Sequence, residues 1–193
     1  MKKILTAVVI SFALAACSTP GQKPAPMKLD YSGLGQVKLN VQFVGVINRA
    51  DGLPRYRPYV THTFQPTVID AVTRWANDRF KAAGNSGRAN VTIKEANVTE
   101  QAVPMEEGFN SWFTRQQSRR YTAKIEVGID AVAADGSKAF ATASATRSYT
   151  LAEDPTEIER AEAYNSMLNS LIENLNSNAE QAIQNHMDAF ITR

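Results

Sequence analysis

The stretch YTAKIEVGIDAVAADGSKAFATASAT, residues 121–146, decides the fold because it contains two alternating strands and the turn between them. From Tyr121 to Ala131, apolar residues alternate with mostly polar ones, which is the period of a half-buried strand. Asp135-Gly136 follows as a tight-turn signal. Alanines then occupy every second position from Ala139 to Ala145. We therefore predict an antiparallel hairpin whose alanine face lets a helix or another stretch of backbone approach closely.

Two strand patterns and one helix pattern precede this hairpin. Strict alternation over 37–47 predicts one half-buried strand. Another strand begins at Val91, and its alternation changes phase near Glu95, which predicts a bulge or a bend. Apolar residues at helical spacing predict a helix over 66–83, with Pro66 at its first position and Gly84 as its stop.

The motif Asp154-Pro155-Thr156-Glu157 predicts the start of the last helix, with Asp154 as N-cap and Glu157 as the capping-box acid. Apolar residues then recur every three or four positions, and one straight helix over 155–191 would be about 55 Å long. Weak helix formers within 174–178, together with a second capping-box pattern at Ser177 and Glu180, predict a kink or a break. A single continuous helix is the alternative.

The element order strand, helix, strand, strand, strand, helix predicts the α+β class, with a mostly antiparallel sheet and helices packed on one face. The chain divides into three parts. Residues 1–16 are predicted to be a cleaved lipoprotein signal peptide, 17–35 a lipidated cysteine and flexible tether rich in proline and glycine, and 36–193 a single periplasmic α+β domain.

The N-terminus carries the clearest functional signal. Two lysines precede an eleven-residue run over 4–14 that is apolar except for Thr6 and Ser11, and Leu14-Ala15-Ala16-Cys17 ends it. This run is shorter than the about 20 residues that span a bilayer, and it fits a cleavable export signal. Cysteine at the cleavage site indicates a lipobox, so we expect acyl chains on Cys17 to hold the protein in the membrane. An ordinary secretory signal and a short membrane anchor are the alternatives.

Similarity to bacterial lipoprotein signals also implies a location. In such signals Asp after the cysteine resembles an inner-membrane retention mark, so Ser18 implies the outer membrane, facing the periplasm. Loss of Lys2 and Lys3 lowers the basic side chains from 21 to 19, against 19 acidic ones. This near-neutral chain gives no electrostatic support for a nucleic-acid partner. Cys17 is the single cysteine, so no disulfide is expected.

The sequence contains no motif for catalysis, a metal or a cofactor. The nucleophile elbow, the phosphate-binding loop and the dinucleotide glycine motif are all missing. His62 lies in a loop and His186 on the apolar stripe of the last helix, without ligands at suitable spacing, so we expect a surface and a partly buried histidine. We predict a protein that is not an enzyme; a hydrolase with a spatially assembled site is the minor alternative.

Two aromatic and basic clusters are the candidate partner-binding residues, because aromatics and arginine are enriched at interface hot spots and suit anionic headgroups. The alternative interpretation is that the Trp covers the hydrophobic core and the arginines nearby are simply exposed to solvent. The candidates are Arg55, Tyr56 and Arg57 in the loop 49–65, and Trp112, Phe113, Arg115, Arg119 and Arg120 before the hairpin.

The lipobox, the tether, the element order, the stretches 66–84, 121–130 and 135–138, and the long terminal helix together resemble the YajG-type envelope lipoproteins. More loosely, the chain is similar to the auxiliary lipoproteins of ABC-type transport systems. The resemblance implies no catalytic residues. It favours a non-enzymatic accessory or adaptor subunit in envelope assembly or lipid trafficking, with an envelope protein as partner. A periplasmic module that binds lipid, peptidoglycan or another glycan is the alternative, and self-association through the last helix stays open.

Overall fold

A computed structural model describes residues 27–103, 118–152 and 154–192. It confirms the α+β class. The elements in chain order are β1 (Val37–Leu39), β2 (Phe43–Asn48), α1 (Val68–Arg79), β3 (Phe80–Ala82), β4 (Arg88–Val103), β5 (Ser118–Val132), β6 (Lys138–Leu151) and α2 (Glu157–His186). Short 3-10 helices lie at Ser32–Leu34, Thr61–Thr63 and Asp188–Phe190.

The main sheet has the order β2-β4-β5-β6, in which β4, β5 and β6 are antiparallel and β2 runs parallel to β4. Strands β1 and β3 form a separate parallel pair. Both helices pack on the apolar face of the main sheet. The β5–β6 hairpin confirms the prediction, and the pairing of β4 with β5 shifts register between Ile93 and Glu95, where a bulge was expected.

The alanine face of β6 lies under α2, as predicted. Ala141, Ala143 and Ala145 are buried, and the helix comes close enough for Asn178 Nδ2 to donate to the Ser144 carbonyl oxygen at 2.8 Å. Small side chains on the strand therefore set how close the helix lies to the sheet.

The prediction of one strand over 37–47 is wrong. The chain leaves the β1–β3 pair after Leu39 and joins β4 from Phe43 onward. Between these strands, Asn40 N donates to the Phe190 carbonyl oxygen at 2.8 Å and Gln42 N to the Ser86 carbonyl oxygen at 3.0 Å. The backbone groups at this corner thus bond to the C-terminal 3-10 helix and to the loop after β3, and not to a continuous strand.

Helix α1 is shorter than the predicted 66–83. Thr67 is the N-cap and forms a capping box with Asp70, so Pro66 lies before the cap and not at the first helical position. The helix ends at Arg79 because Phe80 enters β3, opposite Val37. Gly84 is therefore not the helix stop.

Helix α2 is continuous over 30 residues, so the predicted break is wrong and the alternative of one helix is correct. Asn176 is a weak helix former, but its Oδ1 accepts from the buried Trp75 Nε1 at 3.1 Å. Ser177 Oγ donates to the Glu173 carbonyl oxygen at 3.2 Å and caps nothing. Tertiary hydrogen bonding thus compensates for low helix propensity.

The start of α2 lies two residues later than predicted. Thr156 is the N-cap, and its side chain and backbone N exchange hydrogen bonds with Glu159 in a capping box. Asp154 and Glu157 do not fill the predicted roles.

Because of this cap, Thr156→Ala should lower the free energy of unfolding by about 1 kcal/mol. Asp154→Ala should leave it within about 0.5 kcal/mol of the wild type, since Asp154 is exposed and does not cap the helix. Urea unfolding followed by circular dichroism measures both. A larger loss from Asp154→Ala than from Thr156→Ala would contradict the assigned cap.

Residues 27–35, assigned to the tether from sequence, pack against the helices. Tyr31 is buried, and its backbone N donates to Asp78 Oδ2 at 3.1 Å. Met27, Leu29 and Leu34 are partly buried against the core. Within the described part of the chain, neither helix is long and apolar enough to cross a membrane.

Candidate binding cleft

The loop between β2 and α1 is fixed along one edge of β4. Strand β2 pairs with β4 only as far as Ile93. Beyond that point the loop takes over the edge: Val60 N donates to the Val98 carbonyl oxygen at 2.9 Å, and Glu100 N to the Pro58 carbonyl oxygen at 2.8 Å. The Thr61 hydroxyl also accepts from Val98 N at 2.8 Å. The loop is thus held by backbone hydrogen bonds although it contains no strand.

A cleft of about 500 Å³ opens between this loop, the adjoining ends of β4 and β5, and the first turn of α2. We call it the arginine cleft. Its charged lining residues are Arg55, Arg57, Glu100, Arg119 and Arg160. Counted over the described residues, four guanidinium groups and one carboxylate give the lining a net positive charge, which attracts anions.

Glu100 organises two of the arginines. Its side chain is only 6% exposed, its Oε1 accepts from an Arg119 terminal nitrogen at 2.7 Å, and its Oε2 lies 3.3 Å from Arg57 Nε. A buried carboxylate requires such partners. One acidic side chain therefore links the loop to β5 and positions cationic groups at the cleft.

Arg55 and Arg160 differ from this pair. Both side chains belong to exposed residues on the loop and on α2, respectively. Among the described residues, neither takes part in an ion pair. Their charges are consequently not neutralised within the part of the chain that the structure describes.

The floor of the cleft is aromatic. Tyr121 lines it and stacks on Tyr149 with ring centroids 5.0 Å apart. Phe64 meets the Tyr121 ring edge-on and stacks on Tyr164 of α2 at 4.4 Å. Burial, and after it the Glu100 carboxylate, raise the pKa of Tyr121. The phenol therefore stays protonated at neutral pH, and the floor adds no negative charge.

The structure brings together four of the predicted partner-binding residues: Arg55, Tyr56, Arg57 and Arg119 all line the arginine cleft. Arg120 does not line it. Side chains alternate along β5, so the exposed Arg120 belongs to the opposite face of the sheet from Arg119 and Tyr121. Cys17, Trp112, Phe113 and Arg115 lie outside the described residues, and their predicted roles stay predictions.

Sequence reasoning missed Glu100 and Arg160. Glu100 lies on the same face of β4 as the buried Ala96 and Val98. An acidic residue at such an inward-facing position could have been recognised in the sequence. Arg160 lies on an exposed helix turn and gave no signal.

His62 is exposed, as expected, and also lines the cleft. His186 is exposed and ends α2, so its predicted partial burial is wrong.

No protein-family model matches this chain, and no curated protein matches it in sequence. Among solved structures, similarity is found to a minor lipoprotein from Acinetobacter baumannii, with 11% identity, a TM-score of 0.39, and coverage of 76% of this chain and 94% of that one. A Xanthomonas campestris protein described as DUF330 has 14% identity, a TM-score of 0.29, and coverage of 84% and 98%, respectively. At these scores neither protein assigns a family or a function to this chain.

Proposed function

We propose that this chain is a non-enzymatic lipoprotein, anchored by acyl chains on Cys17 to the periplasmic face of the outer membrane. It acts there as an accessory subunit in envelope assembly or lipid trafficking and docks an envelope protein at the arginine cleft. The lipobox and Ser18 support the location. The resemblance to YajG-type lipoproteins remains part of this proposal.

The observation that carries the docking role is the convergence of predicted interface residues at one cleft. Arg55, Tyr56 and Arg57 come from the loop, and Arg119 comes from a strand more than sixty residues away in sequence. Arginine and tyrosine are enriched among residues that dominate binding energy. Tyr56 is 72% exposed, although an aromatic ring gains most from burial. A partner that covers Tyr56 would complete this surface.

In-cell photo-crosslinking tests the docking role in the full-length lipoprotein. We would replace Tyr56, and separately Phe43, with a photo-reactive phenylalanine analogue. Both positions are well exposed, at 72% and 60%, but Phe43 lies at the end of the sheet away from the cleft. We expect a discrete protein adduct from position 56, recovered with the outer membrane, and none from position 43.

The dependence of this adduct on charge separates specific docking from chance contact. Arg55→Gln combined with Arg160→Gln should remove most of the adduct, since both side chains line the cleft. An identical adduct from both positions, or none from position 56, would refute docking at the cleft. Crosslinking only to lipid or glycan would contradict docking of a protein and would support the alternative, a periplasmic module that binds lipid or glycan.

A further inference from the structure

We infer that the group docked at the arginine cleft is an acidic protein segment that presents two or more carboxylates. This inference rests on the proposed docking function and adds the chemistry of the docked segment. It follows from the charge balance of the cleft, from the way the cleft already holds one carboxylate, and from the exposed aromatic residue beside it.

Glu100 shows how a carboxylate fits between these arginines. Its contact with Arg119 at 2.7 Å has the length of a charge-assisted hydrogen bond. The Arg57 guanidinium offers five N–H donors in a planar fork, more than a single carboxylate oxygen can accept. The Arg57 side chain also stays 68% exposed while it pairs with Glu100, so it remains accessible to a second carboxylate.

Arg55 and Arg160 extend the positive charge across the cleft. They lie on different elements, the loop and α2, and neither has an ion-pair partner among the described residues. Charges spread in this way match several carboxylates along an extended segment better than one compact anion. Complementary charge of this kind also raises the association rate of two proteins.

The cleft differs from a phosphate site. Phosphate groups are typically bound where backbone N–H groups converge at a helix N-terminus. The first turn of α2 carries Glu157 and Glu159 instead, and Glu159 already accepts the Thr156 backbone N–H at 2.9 Å. The Thr156 and Glu159 N–H groups are thus already paired within the capping box and do not contribute donors to a phosphate site. Exposed Tyr56 adds the aromatic contact that favours a polypeptide.

The test uses the mature lipoprotein in detergent micelles and a fluorescein-labelled hexaglutamate peptide, followed by fluorescence anisotropy. Arg55→Gln with Arg160→Gln should weaken binding by about tenfold while leaving both partners of Glu100 in place. The control is Arg88→Gln with Lys138→Gln, which removes the same charge. Arg88 lies about 40 Å from Glu100 along β4, at the strand rise of about 3.3 Å per residue, so the control should bind like wild type.

Equal binding by all three proteins would overturn the inference, because the attraction would then be non-specific. Preferential binding of phosphatidylglycerol vesicles, or competition by inorganic phosphate at concentrations below those of free glutamate, would also overturn it. The result is separable from the docking proposal. An adduct at position 56 without hexaglutamate binding would reject the acidic segment alone, whereas specific hexaglutamate binding without an adduct would reject docking in the cell.

Discussion

Replacing Trp75 by alanine should lower the free energy of unfolding by about 4 kcal/mol, near the upper range for core substitutions. Trp75 is fully buried in α1 and meets the Phe80 ring edge-on at a centroid distance of 5.5 Å. Its Nε1 donates to Asn176 Oδ1 at 3.1 Å, and Asn176 Nδ2 donates to Glu180 Oε1 at 3.1 Å. Removal of Trp75 leaves a large cavity and an unpaired amide oxygen in α2.

Urea unfolding of the wild type, Trp75→Ala, Asn176→Ala and the double variant measures this effect and its hydrogen-bond component. Asn176→Ala alone should cost about 1–3 kcal/mol, because the indole N–H loses its acceptor in the core. The two losses should be less than additive, since the groups are in contact. Ile158→Ala, at an exposed position of α2, is the control and should change little. A loss below about 1 kcal/mol for Trp75→Ala would contradict the packing described here.

The Trp75–Asn176 pair also explains why the continuity of α2 could not be predicted locally. These residues are 101 positions apart in the chain. The sequence next to Asn176 therefore shows the low helix propensity of asparagine and serine but not the hydrogen bond that compensates for it. The prediction of where the helix starts was wrong for a different reason. Asp154…Glu157 and Thr156…Glu159 both fit the capping-box pattern, and the chain uses the second.

The strands of the hairpin could be predicted because each keeps one face buried and the other exposed, which sequence alternation records directly. The same alternation led to the wrong prediction of a single strand where the structure has β1 and β2. Leu39 and Val41 are both fully buried, so alternation continues across the corner although the hydrogen-bond partners change. Alternation reports burial and not strand pairing, so it cannot locate such a break.

The arginine cleft was predictable only in part, for a similar reason. The cluster Arg55–Arg57 is local in sequence and could be recognised as a candidate surface. Its assembly with Glu100, Arg119 and Arg160 depends on where the loop crosses β4 and where α2 begins. Those contacts join residues far apart in the chain, and a single sequence gives no direct signal of them.

Gly84 occupies a place where no side chain fits. Its backbone N donates to the Val41 carbonyl oxygen at 3.0 Å. A Cβ at this position would lie 2.6 Å from the Asn40 carbonyl carbon and 2.7 Å from Val41 N, closer than van der Waals contact allows. These are backbone atoms of the corner between β1 and β2, so the clash cannot be relieved by turning a side chain.

Gly84→Ala should therefore lower the free energy of unfolding by about 3 kcal/mol, the upper part of the usual range for overpacking. Gly128→Ala is the matched control, since its Cβ would lie 2.8 Å from Lys94 Cε and 3.3 Å from Phe140 Cε2, which both belong to exposed side chains and not to the backbone. Lys94 can move aside, so we expect a change within about 1 kcal/mol. Urea unfolding compares the two variants. Equal losses of unfolding free energy in the two variants would contradict this prediction. They would show that the backbone between β1 and β2 can move away from a side chain at position 84.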